Sequence, residues 1–409
     1  MGARPRVLGL VVIVGLAGGL AGAAFVGALK LLQRGLWPTH WSDAAHLLIL
    51  VAVGAAVGLM TRVLGNPGDV ELLVDNIHLL GGNDDLRDLR SLVPVALLCI
   101  SSGGAMGPEA PLVQTTGSIG TWLARRWGLE VADTRVLTIT GMAAGFTVLF
   151  GAPLGSAVFA LEILHRRGME YYEALLPAIV GSLCGYGVYA AITGLGFGPV
   201  WHFSTLETIN GSDLLWAVAA GAVGAVVAVG FTYTSIGLRW VFRRVGPSLR
   251  PVLGGLALGG LAFASPYALT FGEAQVDPLL VRRALIATFA IAAAAKLAGT
   301  AVTLASGWRG GFIIPLFFIG VALGRLGHVV FPGTHEVVLM AALMAAINVG
   351  VTKTPIGSTL VVSEMAGLRL FPTTLLASIV ALLLTSPVAL IDSQREREGA
   401  YEPGTAPAA

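Results

Sequence analysis

Apolar residues gather in long runs at about 7–33, 45–64, 91–103, 112–124, 135–164, 174–194, 213–241, 252–271, 284–305, 312–331, 337–350 and 355–391, broken only by Gly, Pro and short polar loops. A helical bilayer span needs roughly 17–25 apolar residues. The runs therefore predict about ten to fifteen helical pieces, several too short to cross. The first run, behind MGARPR, is long enough to span and reads as a membrane helix rather than a cleaved leader. The insert DNIHLLGGNDDLRDLRS near 75–91 reads as a partly amphipathic surface helix and loop, with Asp75 and His78 as surface residues. The final SQREREGAYEPGTAPAA reads as a solvated tail. The expected fold is an all-α polytopic membrane protein, with one membrane domain over 1–392 and a polar tail over 393–409.

Composition sharpens this reading. Hydrophobic residues make up 55% of the 409 and charged residues 12%, about half the charged share of soluble domains. A net charge of +2 leaves no broad basic surface for a nucleic acid. Glycine, at 55 residues, is about twice its usual share, which suits close helix packing and backbone that approaches a ligand. Cys99 and Cys184 lie in apolar runs and read as buried free thiols, so neither a disulfide framework nor a zinc site is expected.

An internal repeat organises the chain. Residues 142–163 read MAAGFTVLFGAPLGSAVFALEI and residues 344–365 read MAAINVGVTKTPIGSTLVVSEM. A shift of 202 pairs Met142 with Met344, Pro153 with Pro355, Gly155 with Gly357, Ser156 with Ser358 and Glu162 with Glu364. Upstream, GPEAPLVQTTGSIG (107–120) has a looser counterpart in GGFIIPLFFIGVALG (310–324), with Pro111 and Pro315 separated by 204 residues. Basic segments at MGARPR, HRRG (165–168) and LRWVFRRVGPSLR (238–250) read as cytoplasmic, whereas only Arg369 follows the second copy. That asymmetry favours inverted repeats, at about 7–194 and 213–391, an architecture used by transporters.

The first candidate for chemistry is Glu109, in SSGGAMGPEAPLVQ, with no Lys or Arg before Arg125. A carboxylate inside a membrane is costly and faces a pathway or a partner. Pro108 and Pro111 suggest a helix beginning here, and a helix start is an anion site with free N–H groups and a positive dipole end. Gly103, Gly104 and Gly107 let a ligand approach the backbone. The carboxylate can occupy that site itself and swing away when protonated, giving a gate sensitive to anion and proton; the bland alternative is a Glu balancing the dipole at the membrane surface.

A second helix start, SGWRGGFIIP (306–315), offers backbone amides from about Phe312 and Ile313 with no fixed counter-charge, or is a Gly-rich turn before an ordinary span. A third, LGNPGDVELL (64–73), offers Asn66, or is an exposed turn with Asp69 as N-cap.

Together these segments resemble the CLC family of chloride channels and proton-coupled chloride antiporters, of prokaryotic type, over roughly residues 10–392. GPEAPLVQTTGSIG resembles the family's glutamate-gate motif, with Glu109 in the gating position and Gly107, Pro111, Val113, Gln114, Gly117, Ile119 and Gly120 in register. GGFIIP resembles its second anion-site motif, GAPLGSAVFALE the following helix and KTPIGSTLVVSEM that helix's inverted counterpart. The resemblance implies a bundle of tilted, broken helices, a homodimer with one pathway per subunit, and no bound nucleotide or other cofactor.

This chain departs from the pattern at three places. Asn66 stands where the family has an anion-coordinating serine. Ile163 replaces the internal glutamate of the antiporters, so proton coupling needs another route or is absent. The C-terminal tyrosine near the anion is missing, since Tyr401 lies in the polar tail.

The expected activity is transport of chloride or a similar small anion across a bacterial-type plasma membrane, as channel or proton-coupled antiporter. Glu109 is the gate and proton-sensitive group, and Asn66, Gly107, Ala110, Phe312 and Ile313 bind the anion. Glu162 and Glu364 serve a proton or interface role, or bond a neighbouring helix start; Lys353 concentrates anions or snorkels. Fluoride and organic-anion carriage are the alternatives. An intramembrane enzyme is remote, because His40, His46, His78, His165, His202, His328 and His335 show no metal-site or triad spacing.

Overall fold

The computed structural model describes residues 5–37, 42–65, 67, 74, 77–78, 81–82, 87–165, 169–194, 201–281, 285–391 and 394. Asn66, Asp75, His40 and Tyr401 lie outside them, as do about half of the 75–91 insert and, Gln394 apart, the polar tail.

Fifteen α-helices occupy the described residues: α1 (Pro5–Leu36), α2 (Asp43–Leu64), α3 (Arg87–Ser101), α4 (Glu109–Arg126), α5 (Val131–Phe150), α6 (Pro153–Glu162), α7 (Leu175–Thr193), α8 (Gly211–Phe242), α9 (Arg250–Ala264), α10 (Glu273–Val281), α11 (Ile286–Ala305), α12 (Ile313–Val330), α13 (Glu336–Thr352), α14 (Pro355–Ala366) and α15 (Phe371–Thr385). Seven helical segments here are long and apolar enough to cross a membrane. The chain is an all-α polytopic membrane protein. Leu31, Leu215, Val226 and Leu383 are exposed on the outer helices, as lipid-facing positions require.

Proline and glycine decide where helices stop. The apolar run 135–164 divides at Gly151, in the left-handed conformation, and restarts at Pro153 on the first turn of α6. The counterpart position is Lys353, also left-handed at φ +61°, before Pro355 opens α14. With 10 and 12 residues, α6 and α14 reach only ~15 and ~18 Å, about half of a hydrocarbon core.

These two short helices cross on bare backbone. A Cβ at Gly155 would meet the backbone of Val361, and one at Gly357 the backbone of Phe159. Each helix also ends in a carboxylate bonded to the other helix's start. Glu162 accepts from Gly357 N at 2.7 Å and Ile356 N at 3.3 Å, while Glu364 accepts from Gly155 N at 3.3 Å. The contacts are reciprocal, each segment's carboxylate meeting the first turn of the other.

Elsewhere small residues let long helices approach. Gly15 and Gly19 of α1 lie against the backbone of Gly181 and Gly185 of α7, a pair of small-xxx-small seams. Cys99 is buried, whereas Cys184 is partly exposed, a correction to its expected burial: it lies at the edge of the seam with α1, where its Cβ is beside Gly15.

Candidate functional site

Two loops meet at the centre of the bundle, each turning on a left-handed glycine four residues before a second glycine. Gly103 (φ +100°) precedes Gly107, and Gly307 (φ +87°) precedes Gly311. Gly107 N donates to Gly311 O at 2.7 Å and Gly311 N to Gly107 O at 2.6 Å, a two-residue antiparallel bridge. Thr270 N bonds Gly103 O at 2.8 Å, Thr300 Oγ1 bonds Ala105 O at 2.9 Å, and Trp308 Nε1 bonds Pro251 O at 2.8 Å, so neighbouring elements hold both loops.

Immediately after the bridge each loop becomes a helix, α4 at Glu109 and α12 at Ile313. Pro108 and Phe312 are the N-caps, and neither supplies a side-chain cap. The first-turn amides of α12 are therefore open to an anion.

The anion present is the side chain of Glu109. It is 1% exposed, and Oε1 accepts from Ile314 N at 2.5 Å. Oε2 is buried and has no hydrogen-bond partner among the described residues. A Cβ at Gly107 or Gly311 would collide with the carboxylate, so the paired glycines are the space in which it sits. The expected anion-binding positions Gly107, Ala110, Phe312 and Ile313 all lie around this carboxylate. The amide it takes is Ile314 N, in the first turn of α12, one residue beyond the Phe312 and Ile313 amides expected to bind the anion.

Two cavities meet here. The smaller, about 30 Å³, is lined by Val74, Glu109, Val113, Met142, Phe146 and Ile163, together with Ala110 and Gly311–Ile313. That is room for about one water, which needs ≳ 10–15 Å³. The larger, about 410 Å³, also reaches Ala110 and Phe312, and Arg239, Arg243, Arg250 and Arg309 stand in its wall. Sequence reading singled out none of these arginines as site residues: they come from three segments that only the fold unites.

The family model for voltage gated chloride channels matches residues 68–386. The chain belongs to that family. A chloride/fluoride channel protein of Pseudomonas syringae pv. tomato is 28% identical over 96% of this chain and 87% of its own length. A ClcB-like protein of Ralstonia nicotianae is 30% identical over 86% of this chain and 87% of its own. Among solved structures, a CLC-type fluoride/proton antiporter superposes with a TM-score of 0.82 at 22% identity, covering 96% of this chain and 98% of that one. A slow cyanobacterial Cl⁻/H⁺ antiporter gives 0.81 at 22% identity, over 94% and 96%. At such identity the likeness shows a shared CLC fold.

The remaining candidates of this CLC chain lie away from Glu109. Glu162 and Glu364 bond helix starts, as described above. Lys353 lines neither cavity; its Nζ donates to Gly350 O and Thr385 O at 2.7 Å and to Thr385 Oγ1 at 2.8 Å. It is 2% exposed, so its ammonium turns inward rather than snorkelling. His78 is half-buried rather than a surface residue, because Tyr171 and the carbonyl of Leu164 fold over it.

Proposed function

We propose that this CLC protein carries chloride or a similar small inorganic anion through the bilayer past Glu109, which competes with the anion for the amides at the start of α12. The observation that carries this reading is the Glu109 carboxylate seated on Ile314 N at 2.5 Å with its second oxygen unbonded, at the meeting of two cavities. A charged carboxylate holds the site and a neutral one surrenders it, so lowering pH favours anion entry. The arginines of the larger cavity draw anions toward the gate. The amides of Gly107, Ala110, Phe312, Ile313 and Ile314 form the anion pathway.

The loop pair and the crossed pair α6 and α14 support two repeats, 7–194 and 213–391, and the charge of the loops favours an inverted arrangement of the two. By family analogy the working unit is a homodimer in a bacterial-type inner membrane, exchanging protons for anions or passing anions alone. The small cavity disfavours a bulky organic anion. Fluoride belongs in the same assay because of the names its relatives carry.

The test is anion efflux from liposomes holding purified protein, across a range of pH. Wild type gains flux as pH falls, while Glu109→Gln flows at a pH-independent rate. A Glu109→Gln protein with the wild-type pH profile refutes the gate.

A further inference from the structure

The larger cavity is far roomier than a small inorganic anion needs. At about 410 Å³ it has the size of pockets that take whole organic ligands, roughly 300–1,000 Å³. Four arginines stand in its wall, and among the described residues no aspartate or glutamate does. Guanidiniums gathered without a carboxylate repel one another, and a bound anion of several charges relieves that repulsion.

The charges come from three places. Arg239, in the last turn of α8, and Arg243, its C-cap, sit at that helix's negative end. Arg250 opens α9, the unfavourable end for a cation, and no acidic residue shares its first turn. Its Nε donates to Val245 O at 2.8 Å and its Nη2 to Arg243 O at 3.2 Å, so the loop backbone fixes this guanidinium without cancelling its charge. The Arg243 side chain is exposed and makes no hydrogen bond, ion pair or ring contact with the described residues. Its neighbour Arg244 behaves differently: it lies 3.5 Å over the Trp240 ring and does not line the cavity. Arg309 comes from the loop that leads into α12.

The wall also holds Gln114, on α4 one turn beyond Ala110. It is 4% exposed, and its side-chain amide has no hydrogen-bond partner among the described residues. Buried amides are normally paired, and an oxyanion in the cavity offers acceptors to this one's N–H groups.

We propose that this cavity is a binding site for an anion with paired phosphates, free in solution or carried on a lipid headgroup. Arg243 and Arg250 grip phosphate oxygens with their forks, Arg239 and Arg309 balance the remaining charge, and Gln114 donates from α4. Arginine rather than lysine at all four positions fits such a ligand, because a planar fork matches two phosphate oxygens at once and a spherical halide uses no fork. The basic segment 238–250 reads as cytoplasmic, the face on which basic pockets meet anionic headgroups. The same cavity reaches Ala110 and Phe312, so a seated phosphate obstructs the anion pathway. That obstruction rests on the pathway proposed above; the binding site does not.

The experiment first titrates the purified full chain, in non-ionic detergent at fixed ionic strength, with inorganic pyrophosphate. Wild type binds, and Arg243→Ala raises Kd about tenfold or more, the loss of one charge-assisted pair. Arg244→Ala removes the same charge from the same loop and leaves Kd within about twofold. An unchanged Kd in Arg243→Ala, or an equal loss in both variants, overturns the site; if Arg243→Ala yields no folded protein, Arg243→Gln carries the same test. Chloride efflux from phosphatidylcholine liposomes then separates the sources. Slowing by pyrophosphate on both faces, relieved in Arg243→Ala, supports a free anion as the occupant. Slowing by admixed cardiolipin, relieved in the same variant, supports the headgroup. Pyrophosphate binding without any slowing leaves the site standing and refutes the pathway through it. No pyrophosphate binding together with no response to cardiolipin overturns the site, whatever the chloride flux.

Discussion

Substituting Gly107 by alanine displaces the Glu109 carboxylate without touching its charge. Gly107 is not in the left-handed region, so an alanine backbone fits, and its N–H to Gly311 O is kept. The nearest atoms to the added methyl all belong to the Glu109 carboxyl group, with Cδ and Oε1 both at 2.8 Å and Oε2 closer. The mobile end of a side chain yields before backbone does, so the carboxylate leaves Ile314 N. A hydrogen bond to a charged group contributes about 1.5–3 kcal/mol. At about 1.4 kcal/mol per tenfold, the seated state loses ground to a competing anion by a factor of about 10–150. Isothermal titration of the detergent-solubilised protein with chloride then reads a Kd lower by that factor, with Glu109→Ala setting the ceiling. Because the methyl acts through the carboxylate, Gly107→Ala in a Glu109→Ala background changes Kd by no more than about twofold, the tolerance of additive sites. An unchanged Kd in the single variant, or an undiminished effect in the double, refutes competition between carboxylate and anion.

Three further outcomes follow from the same bonds. Glu162→Gln removes the charge accepting from Gly357 N and Ile356 N and lowers the unfolding free energy by about 1.5–3 kcal/mol; a melting temperature equal to wild type in a thermal scan counts against the helix staple. Lys296→Met strips the bonds that the buried Nζ makes to Leu269 O and Thr270 O at 2.7 Å and Gln275 Oε1 at 2.9 Å, at about 1–3 kcal/mol for each carbonyl left bare. Retention of a monodisperse, equally heat-stable peak on size exclusion would contradict that cost. Ile163→Ser enlarges the cavity that Glu109 also lines and gives water a hydroxyl partner, so chloride flux at low pH rises; a flux equal to wild type in the same liposomes counts against that cavity as part of the pathway.

The helical pieces were legible because membrane spans must be long and apolar, and because Pro108, Pro153, Pro315 and Pro355 mark helix starts that the backbone follows to within two residues. A carboxylate at a helix start was legible too, since an isolated Glu109 in an apolar run beside Pro108 and Pro111 has few other ways to be satisfied. That the start it bonds belongs to α12 rather than to its own helix was illegible, because the bridge that brings the two loops together joins segments 204 residues apart. The His78, His165 and Tyr171 cluster was illegible for the same reason. His78 bonds residues 86 and 93 positions away, and no local pattern announces them. Lys353 was misread because lysine in a left-handed cap is rare, and the carbonyls that reward it come from Thr385 and Gly350.

Among the described residues a carboxylate sits on the start of a facing helix three times, at Glu109, Glu162 and Glu364, and only Glu109 is placed to act as the proposed gate. Glu162 binds two successive amides of α14 with its two oxygens, and Glu364 reaches back to α6 across a crossing too tight for a methyl group. Opening either bond bares first-turn amides that no other side chain among the described residues accepts from, so these pairs act as staples. Glu109 binds one amide with one oxygen; the other is buried without a partner among the described residues, in a space walled by two glycines and flanked by two cavities. Its seated state is weakly held, and the vacated amide at Ile314 can take a diffusible anion in its place. The difference between staple and proposed latch thus lies in whether a replacement anion can reach the same N–H, which the cavities beside Glu109 allow.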